Sequence, residues 1–518
     1  MCTGAAANRP HPGSLMTVER EIKVTATADF EMPDLTGLAP ASTVTALSER
    51  RLVAVYFDTE DLRLARSGIT LRHRVGDGES TQPWTVKLPE TNQGPGLTRR
   101  EIRFAGQRDH VPEAAADLVL ATTRGHRLEP AAQLGTIRVP HEIRDAKGVL
   151  LAEVVDDTVS VTHGHESPGG FREIEVEAYG KGRTARRLLD ESMARLVGAG
   201  AAAEPPIPKL VRALGTRAAQ SPDVTVSPLG DDATVAHLVR HTVARSVAQM
   251  LRHDPGVRLG DDPEDVHQFR VATRRLRSDL RTFARLLDAE QVGPVREELG
   301  WLGGVVGAVR DTDVLAVRLR TNSATLPEAD AAGARKLLGR LDKEGAAARA
   351  TMLTTLREPR YLALLDNLIE LTAALPTVDD ELARRAAAEA AARFVRRPWR
   401  HLVDAAAALG SDATDTELHQ TRIQAKRCRY AAEAVVPAVG RPAERLADAV
   451  ADLQTVLGDR QDTVVSEAWL RAAAAAIPSG RVAAGQLIAV ELAQRADLRA
   501  RWPDVWQDAS AKKLRRWL

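Results

Sequence analysis

The chain has 518 residues, 44% of them hydrophobic and 27% charged, and its 71 Lys and Arg against 70 Asp and Glu leave a formal charge of +1. This composition excludes a wholly disordered or fibrous protein, and the length predicts about two to four domains. Aromatic residues make up only 3% of the chain, so few side chains are present to stack on nucleic-acid bases. No apolar run of about 18 residues occurs, so we expect neither a membrane span nor a membrane partner.

The two cysteines and the first fifteen residues indicate the cellular compartment in which the protein resides. Cys2 and Cys428 are too few for a disulfide framework, which favours a reducing cytoplasm. Residues 1–15 contain Pro and Gly but lack the basic and apolar regions of a secretory signal, so we expect a disordered leader. A cytoplasmic protein is therefore predicted.

Two halves of different character meet near residues 215–230. Residues 18–179 alternate polar and apolar side chains in short runs broken by Gly, Pro, Asp and Asn, which predicts strands. A helix is predicted over 184–196, and from Thr234 onward apolar residues three and four apart predict helices. The predicted organisation is a leader (1–15), a strand-rich domain (16–214), a linker (215–230) and a helical domain (231–518).

Several predicted strands carry charge along one face. Glu19, Glu21 and Lys23 share a face because side chains alternate with period two, and the same holds for Glu173, Glu175 and Glu177. One such strand is most simply a solvent-exposed face, but the pattern recurs with Lys and Arg on other strands. Lys and Arg bind phosphate oxygens, and clustered carboxylates hold Mg²⁺ or Mn²⁺. A barrel of about eight strands encloses a lumen able to combine the two.

These motifs resemble a known family. Glu19-x-Glu21-x-Lys23, Tyr56-Phe57-Asp58-Thr59, Leu71-Arg72-x-Arg74, Thr85-x-Lys87 and Glu173-x-Glu175-x-Glu177, in that order, are similar to the CYTH domain of the triphosphate tunnel metalloenzymes. The resemblance implies an α+β domain built on a closed, eight-stranded antiparallel tunnel. It also implies a triphosphate substrate and a divalent metal, Mg²⁺ or Mn²⁺. Family members include inorganic triphosphatases, thiamine triphosphatases and class IV adenylate cyclases.

The resemblance also implies roles for individual residues. The predicted substrate-binding residues are Lys23, Arg72, Arg74, Lys87, Arg99 and Lys209. The predicted metal ligands are Glu19, Glu21, Asp157, Glu175 and Glu177, and the predicted catalytic residues are Glu19, Glu21 and Lys23. The strand at 136–144 is less arginine-rich than is usual in the family, and Pro140 suggests an edge or a bulge there. Whether Arg138 or Arg144 enters the tunnel is left open.

The helical half contains an internal repeat, with His267 matched by His419 152 residues later. Basic residues follow each His at +3, +7, +8 and +10, and most fall on one helical stripe. The predicted polyanion-binding residues are His267, Arg270, Arg274, Arg275, Arg277, Arg281, His419, Arg422, Lys426, Arg427 and Arg429. A second pair of motifs, Gly307 with Asp311 and Gly458 with Asp462, repeats with an offset of 151.

This half resembles the CHAD domain, an α-helical module with conserved histidines that is linked to inorganic polyphosphate. The repeats are predicted at about 231–375 and 380–518. A solvated basic face is the simple alternative, and nucleic acid is the competing ligand. The scarcity of aromatic residues and of base-reading motifs argues against sequence-specific binding. Neither His has a second His or a carboxylate at i+4, so metal binding by these histidines is not expected.

The resulting functional hypothesis is a metal-dependent hydrolase of triphosphate compounds, with inorganic tripolyphosphate as the leading substrate and polyphosphate as the ligand of the helical domain. One alternative is a non-catalytic polyphosphate-binding protein associated with polyphosphate granules. A second alternative is a class IV adenylate cyclase. The sequence leaves open the substrate, the choice between Mg²⁺ and Mn²⁺, and the oligomeric state.

Overall fold

The computed structural model describes residues 16–39, 42–76, 81–89, 97–163, 169–179, 182–203, 207–410 and 412–518. The side chains of residues 16–20, 97–98 and 163 lie outside this description, as does the predicted leader. The chain divides into two compact units, one ending at Asp223 and the other beginning at Val224. This boundary falls inside the stretch predicted to be a linker.

The first unit is a closed antiparallel barrel. Its strands, within the described residues, are β1 (Met16–Ala26), β2 (Thr43–Ala46), β3 (Arg50–Asp58), β4 (Thr70–Val75), β5 (Trp84–Pro89), β6 (Leu97–Phe104), β7 (Glu129–Arg144), β8 (Leu150–His163) and β9 (Gly170–Ala178). The order β3-β4-β5-β6-β1-β9-β8-β7 closes on itself because β7 pairs with both β8 and β3. Strand β2 pairs with β7 outside this ring. The predicted eight-stranded tunnel is confirmed.

Period-two alternation decides which side chains enter the barrel. On β1, Ile22 and Val24 face outward and are buried under a helix, while Glu21 and Lys23 face the lumen. The helices of this unit are α1 (Arg63–Arg66), α2 (Glu113–Leu118), α3 (Leu120–Thr123), α4 (Arg183–Gly198) and α5 (Lys209–Leu214). Helix α4 was predicted from its apolar stripe, and it covers β1 and β9 with Leu188 and Leu189.

One mouth of the barrel is filled by α5. Leu210 and Leu214 of this helix join one buried cluster with Tyr56 of β3 and Leu134 of β7, whose side chains point to the barrel interior. Because α5 begins at Lys209, the packing of its apolar residues directs the ammonium group of Lys209 inward. Helix α5 therefore fills the mouth of the barrel and also places the ammonium group of Lys209 in the lumen.

The second unit is helical and duplicated. Its helices are α6 (Val235–Leu259), α7 (Pro263–Thr282), α8 (Ala289–Ser323), α9 (Ala331–Thr355), α10 (Pro359–Ala373), α11 (Asp380–Arg384), α12 (Ala387–Ala390), α13 (Ala392–Ala407), α14 (Asp415–Val439), α15 (Arg441–Ala476) and α16 (Arg481–Ala509). Helices α13–α16 repeat the succession of α6–α9, each packing on the next. The all-helical, duplicated fold is confirmed. Among the residues described, none of the helices combines the length and apolarity that crossing a membrane requires.

Candidate functional sites: a charged tunnel and a basic helical face

Strands β1, β8 and β9 form an acidic wall on one side of the lumen. Lys23 lies opposite Glu175 in the β1–β9 register, and Asp157 lies opposite Glu173 in the β8–β9 register. The Nζ atom of Lys209 lies 2.7 Å from Asp157 Oδ2 and 3.0 Å from one oxygen each of Glu173 and Glu175. Lys23 Nζ contacts Glu175 and lies 3.4 Å from Glu21 Oε1. Two ammonium groups are thus held among four carboxylates.

The question left open for β7 is answered by its pairing. Arg138 donates to both oxygens of Asp157, at 2.8 and 2.7 Å, so its side chain enters the lumen. Arg144 instead donates to Glu142 at 2.9 Å and to the carbonyl of Gly148 at 2.8 Å. The planar guanidinium of Arg138 matches the carboxylate of Asp157 and fixes its orientation.

The expectation of an edge or a bulge at Pro140 is wrong. Strand β7 has neighbours on both sides, and its register irregularities lie between Pro130 and Ala132, at Gln133/Leu134 and at Ile143/Arg144, away from Pro140. Pro140 sits where pairing on one side passes from β3 to β2, while β8 continues opposite it. Its missing N–H is therefore accommodated in the gap between two partner strands.

The opposite wall, from β3 to β6, is predominantly basic. Arg72 Nη1 lies 3.4 Å from the hydroxyl of Tyr56, and Lys87 Nζ lies 3.0 Å from Glu101 Oε2. Arg74 follows Arg72 on the same face of β4. Arg99 is 6% exposed, and its Nε has no hydrogen-bond partner among the described residues. A buried guanidinium with an unused donor is suited to an anionic ligand.

The pKa values on the acidic wall follow from this crowding. Burial opposes ionisation of Lys23 and Lys209, but the surrounding carboxylates, Glu175 first, raise the pKa of both ammonium groups above the usual range. The pKa of Glu175 is likewise held well below its usual value, against the effect of burial, by Lys209, Lys23 and Arg138. Burial raises the pKa of Glu173, although Lys209 and Lys23 oppose the rise. The wall is therefore a network in which ammonium, guanidinium and carboxylate groups largely neutralise one another.

The carboxylates of this wall suit a hard divalent cation in their chemistry. Glu21, Glu177 and Glu153 are directly opposite one another across β1, β9 and β8. Within the described residues, however, no three His, Cys, Asp or Glu side chains are already grouped as for a metal ion. The side chain of Glu19 lies outside the description, and Asp157 is engaged by Arg138 and Lys209.

A basic face on the second unit is built where α7 and α14 pack against each other. Arg270 and Arg274 of α7 lie near Lys426 of α14, whose pKa is lowered first by burial and then by Arg422, Arg274 and Arg270. The Nε atoms of Arg274 and Arg422 have no hydrogen-bond partner among the described residues. The two copies of the sequence repeat thus meet in one cluster, which we call the α7/α14 face.

The repeated glycines and aspartates support this cluster. A Cβ on Gly307 would come within 3.8 Å of Arg270 Nε, and one on Gly458 within 3.4 Å of Arg422 Nε. Each guanidinium thus lies directly against the glycine of the neighbouring helix, where a Cβ would make an ordinary van der Waals contact. Arg270 Nη2 then donates to Asp311 Oδ1 at 3.2 Å, one turn beyond Gly307. The second motif is therefore a support for the arginines of the first.

The α7/α14 face carries excess positive charge. Burial lowers the pKa of Lys426 to about 7, with Arg422, Arg274 and Arg270 contributing. Burial and Arg310 likewise lower the pKa of His267. Two of the predicted residues, Arg275 and Arg429, are balanced by an acid, because both donate to Glu433 at 2.6 Å. The exposed Arg281 has Arg427, Arg296 and Arg277 near it, and partial burial together with these charges lowers its pKa. His419 Nδ1 is 3.0 Å from Gln461 Oε1.

Two residues of the tunnel, Glu173 and Glu101, were missing from the predicted site, and a third, Arg138, had been left open. Glu173 shares the face of Glu175 by period-two alternation, so its position was readable from the sequence. Glu101 shares the face of Arg99 for the same reason. Arg138 depended on the β7–β8 register, which no local pattern specifies.

Fold and sites together define an antiparallel β-tunnel protein with a duplicated helical second domain. A family model described as the CYTH domain matches residues 16–186, and one described as the CHAD domain matches residues 241–471. The chain belongs to the family of proteins that join these two domains. It is 33% identical over 490 residues to an uncharacterized protein of Mycobacterium tuberculosis, covering 89% of both chains.

Two solved structures are also similar. The CHAD domain from the plant Ricinus communis has 27% identity and a TM-score of 0.45, covering 56% of this chain and 96% of that one. A putative adenylate cyclase from Bacillus halodurans has 18% identity and a TM-score of 0.25, covering 38% of this chain and 97% of that one.

Proposed function

We propose that the tunnel binds the triphosphate group of its substrate and hydrolyses it with the help of a divalent cation, and that inorganic tripolyphosphate is the substrate. The observation that carries this proposal is the division of the lumen into a basic wall from β3 to β6 and an acidic wall from β1, β8 and β9. Arg72, Lys87 and Arg99 supply cations for phosphate oxygens, and Arg99 is buried with a donor to spare. Members of the CYTH family are triphosphatases or cyclases.

In this mechanism the basic wall holds the chain of phosphates and neutralises the charge that builds on its oxygens. Lys23 and Lys209 reach toward the phosphates from the acidic wall, where both remain protonated. Water attacks the terminal phosphorus in line with the departing phosphate, and a glutamate of the acidic wall accepts the proton. Glu19, Glu21, Glu175 and Glu177, with Asp157, would hold the cation. A bound cation would supply charge neutralisation at the phosphate oxygens.

The test is phosphate release from tripolyphosphate, thiamine triphosphate, ATP and long-chain polyphosphate, each with Mg²⁺ and with Mn²⁺. The double substitution Glu19→Gln and Glu21→Gln is expected to abolish release. Glu60→Gln, an exposed residue outside the lumen, is the matched control and should leave it unchanged. Turnover that survives the double substitution would refute the assignment.

A second function is favoured by a specific observation. Lys23, Lys209 and Arg138 already neutralise Glu175, Glu173 and Asp157, an arrangement that binds an anion without needing a metal. A tunnel that binds tripolyphosphate equally well with and without divalent cation, and releases no phosphate, would establish this binding role. Formation of cyclic AMP from ATP in the same assays would instead establish the cyclase alternative.

We propose in addition that the α7/α14 face binds inorganic polyphosphate. Its arginines converge from two helices, and two of them have buried donors without partners among the described residues. Substituting Arg270 and Arg422 with Gln should weaken polyphosphate binding and its dependence on salt. Competition between long-chain polyphosphate and duplex DNA at fixed salt separates the two ligands, and a preference for DNA would overturn the proposal.

A further inference from the structure

A second basic surface lies on the helical unit, on α13 rather than on α7 or α14. Arg393, Arg396, Arg397 and Arg400 are exposed and share one side of α13, because residues three and four apart are neighbours on a helix. The opposite side of α13 packs into the core through Phe394, Val395 and Leu402, and the ring of Phe394 lies 4.8 Å from that of Phe283. The arginines are thus held outward on a well-anchored helix.

The end of the described chain adds further cations to this surface. Arg515 lies over the ring of Trp399, with its Cζ 5.8 Å from the ring centre, and Arg396 donates to an oxygen of Leu518. Trp399 itself stacks on Trp506 of α16 at 6.0 Å. These contacts place Arg515 and Leu518 beside α13, and Lys512, Lys513 and Arg516 belong to the same short segment. We call the four arginines of α13, together with Lys512, Lys513, Arg515 and Arg516, the α13 surface.

The cations of the α13 surface are not paired with acidic side chains, although the exposed Asp404 follows Arg400 by one turn on the same stripe. Within the described part of the chain, none of its eight cations forms an ion pair with Asp or Glu. Some exposed arginines elsewhere are paired, as Arg471 is with Glu467 at 2.7 Å and Arg360 with Glu298 at 2.6 Å. Others, such as Arg335, form no ion pair among the described residues. Four like charges on one helical stripe repel one another and destabilise the helix. A bound anion would remove this repulsion between the four arginines and so stabilise the helix.

We infer that the α13 surface is a second binding site for linear polyphosphate, distinct from the α7/α14 face, and that a long chain engages both. The inference rests on the proposed function for the identity of the ligand. The surface offers evenly spaced cations and no stacking platform, since Trp399 is buried beneath it. Membrane insertion would need the apolar side of α13, which the core already occupies. A repeating phosphate chain requires only the cations.

Two sites for one chain make affinity depend on chain length. A ligand held at the α7/α14 face meets the α13 surface at high effective concentration if it is long enough to reach it. Tripolyphosphate is too short to gain from a second site. The α13 surface should therefore matter for long polyphosphate and not for the short substrate.

The experiment uses the full chain without divalent metal. Arg393, Arg396, Arg397 and Arg400 are all changed to Gln, and the control changes four other exposed arginines of the same unit, Arg320, Arg335, Arg384 and Arg471, to Gln. Both variants lose the same charge. Long-chain polyphosphate should bind the α13 variant about tenfold more weakly than it binds the control. The slope of log affinity for polyphosphate against log salt concentration should become shallower by about 3. Each of the four substituted arginines would neutralise one phosphate, and each neutralised phosphate contributes about 0.7 to the slope.

Binding of tripolyphosphate should be the same for both variants. Circular dichroism and the thermal midpoint verify folding, and the double variant Arg397→Gln and Arg400→Gln, with about half the change in slope, is a milder substitute. Equal losses of affinity for the α13 variant and the control, or an equal loss for tripolyphosphate, would overturn the inference. So would a larger loss for single-stranded RNA or for vesicles of anionic lipid than for polyphosphate.

The inference and the proposed function fail in distinguishable ways. If Arg270→Gln with Arg422→Gln weakens polyphosphate binding while the α13 variant binds like its control, only the α13 site is refuted. If the unaltered protein binds no polyphosphate, both are refuted.

Discussion

The tunnel and the α7/α14 face both gather cations, but they treat the charge in opposite ways. In the tunnel, Lys209 lies within 3.0 Å of three carboxylates, and its pKa is raised despite burial. On the α7/α14 face, Lys426 is surrounded by Arg270, Arg274 and Arg422, and burial with this repulsion lowers its pKa to about 7. The tunnel carries its own counter-ions, whereas the helical face leaves positive charge for a ligand to neutralise.

The largest expected effect comes from removing a cation of the tunnel. Lys209→Met leaves Asp157, Glu173 and Glu175 crowded with fewer positive partners, and removing one partner of a buried ion pair costs about 3–5 kcal/mol. The free energy of unfolding of the first unit should fall by that amount in urea titrations. Addition of tripolyphosphate should rescue little of the loss, because the substitution also removes a cation that would bind phosphate. An unchanged free energy of unfolding would contradict the conclusion that Lys209 neutralises the carboxylates of the acidic wall.

The next effect concerns pH. Because the pKa of Lys426 is about 7, bound polyphosphate should favour its protonated form, and binding should take up a proton above that pH. Affinity is expected to fall about tenfold between about pH 7 and pH 9, a change of one pKa unit being about 1.4 kcal/mol. Lys426→Arg stays charged and should abolish the fall. Calorimetry of polyphosphate binding in two buffers of different ionisation enthalpy measures the number of protons taken up, and so checks the predicted protonation of Lys426 independently.

Lys426→Met is the counterpart of the tunnel substitution and should act in the opposite direction. The pKa of Lys426 is lower in the folded protein than in the unfolded chain, so its charged form destabilises the folded state. This cost is largest below about pH 7, where Lys426 is charged in both states. The free energy of unfolding of the helical unit should rise by about 1 kcal/mol at pH 6, and the gain should shrink as the pH approaches the ordinary pKa of lysine. Destabilisation at pH 6 would show that Lys426 is compensated after all.

The smallest effect tests the exposed counter-ion of Arg270. Asp311 is exposed, and pairs of this kind contribute about 0.2–1 kcal/mol. Asp311→Asn should therefore hardly change stability, but it should raise polyphosphate affinity about twofold by freeing Arg270. Asp342→Asn, which breaks the exposed pair with Arg320, is the control. An equal gain in the control would assign the effect to overall charge.

The sequence predicted most where a local period sets the structure. Alternation by two placed Glu21, Lys23 and Glu175 in the lumen, and helical spacing placed Arg270 and Arg274 on one side of α7. It predicted less where strands or helices from distant parts of the chain meet. The pairing of Arg138 with Asp157 depends on the β7–β8 register, and the convergence of α7 with α14 depends on packing between the repeats.

Pro140 shows the limit of a local rule. A proline within a strand usually marks an edge or an irregularity, because it lacks the N–H that a neighbour would accept. Here two shorter strands, β2 and β3, share one side of β7, and the proline falls between them. Only the full sheet topology shows that the missing N–H falls at the junction of two partner strands.

Helix α5, which fills one mouth of the barrel, affects how a ligand can enter and leave the lumen. Leu210 and Leu214 pack among the inward side chains of β3 and β7, so apolar side chains occupy that end of the barrel. A linear ligand that reaches Lys209 would then enter with one of its ends, from the other mouth of the barrel. If the tunnel hydrolyses phosphate chains as we propose, a closed mouth at α5 favours removal of phosphate from a chain end over cleavage in the middle of the chain.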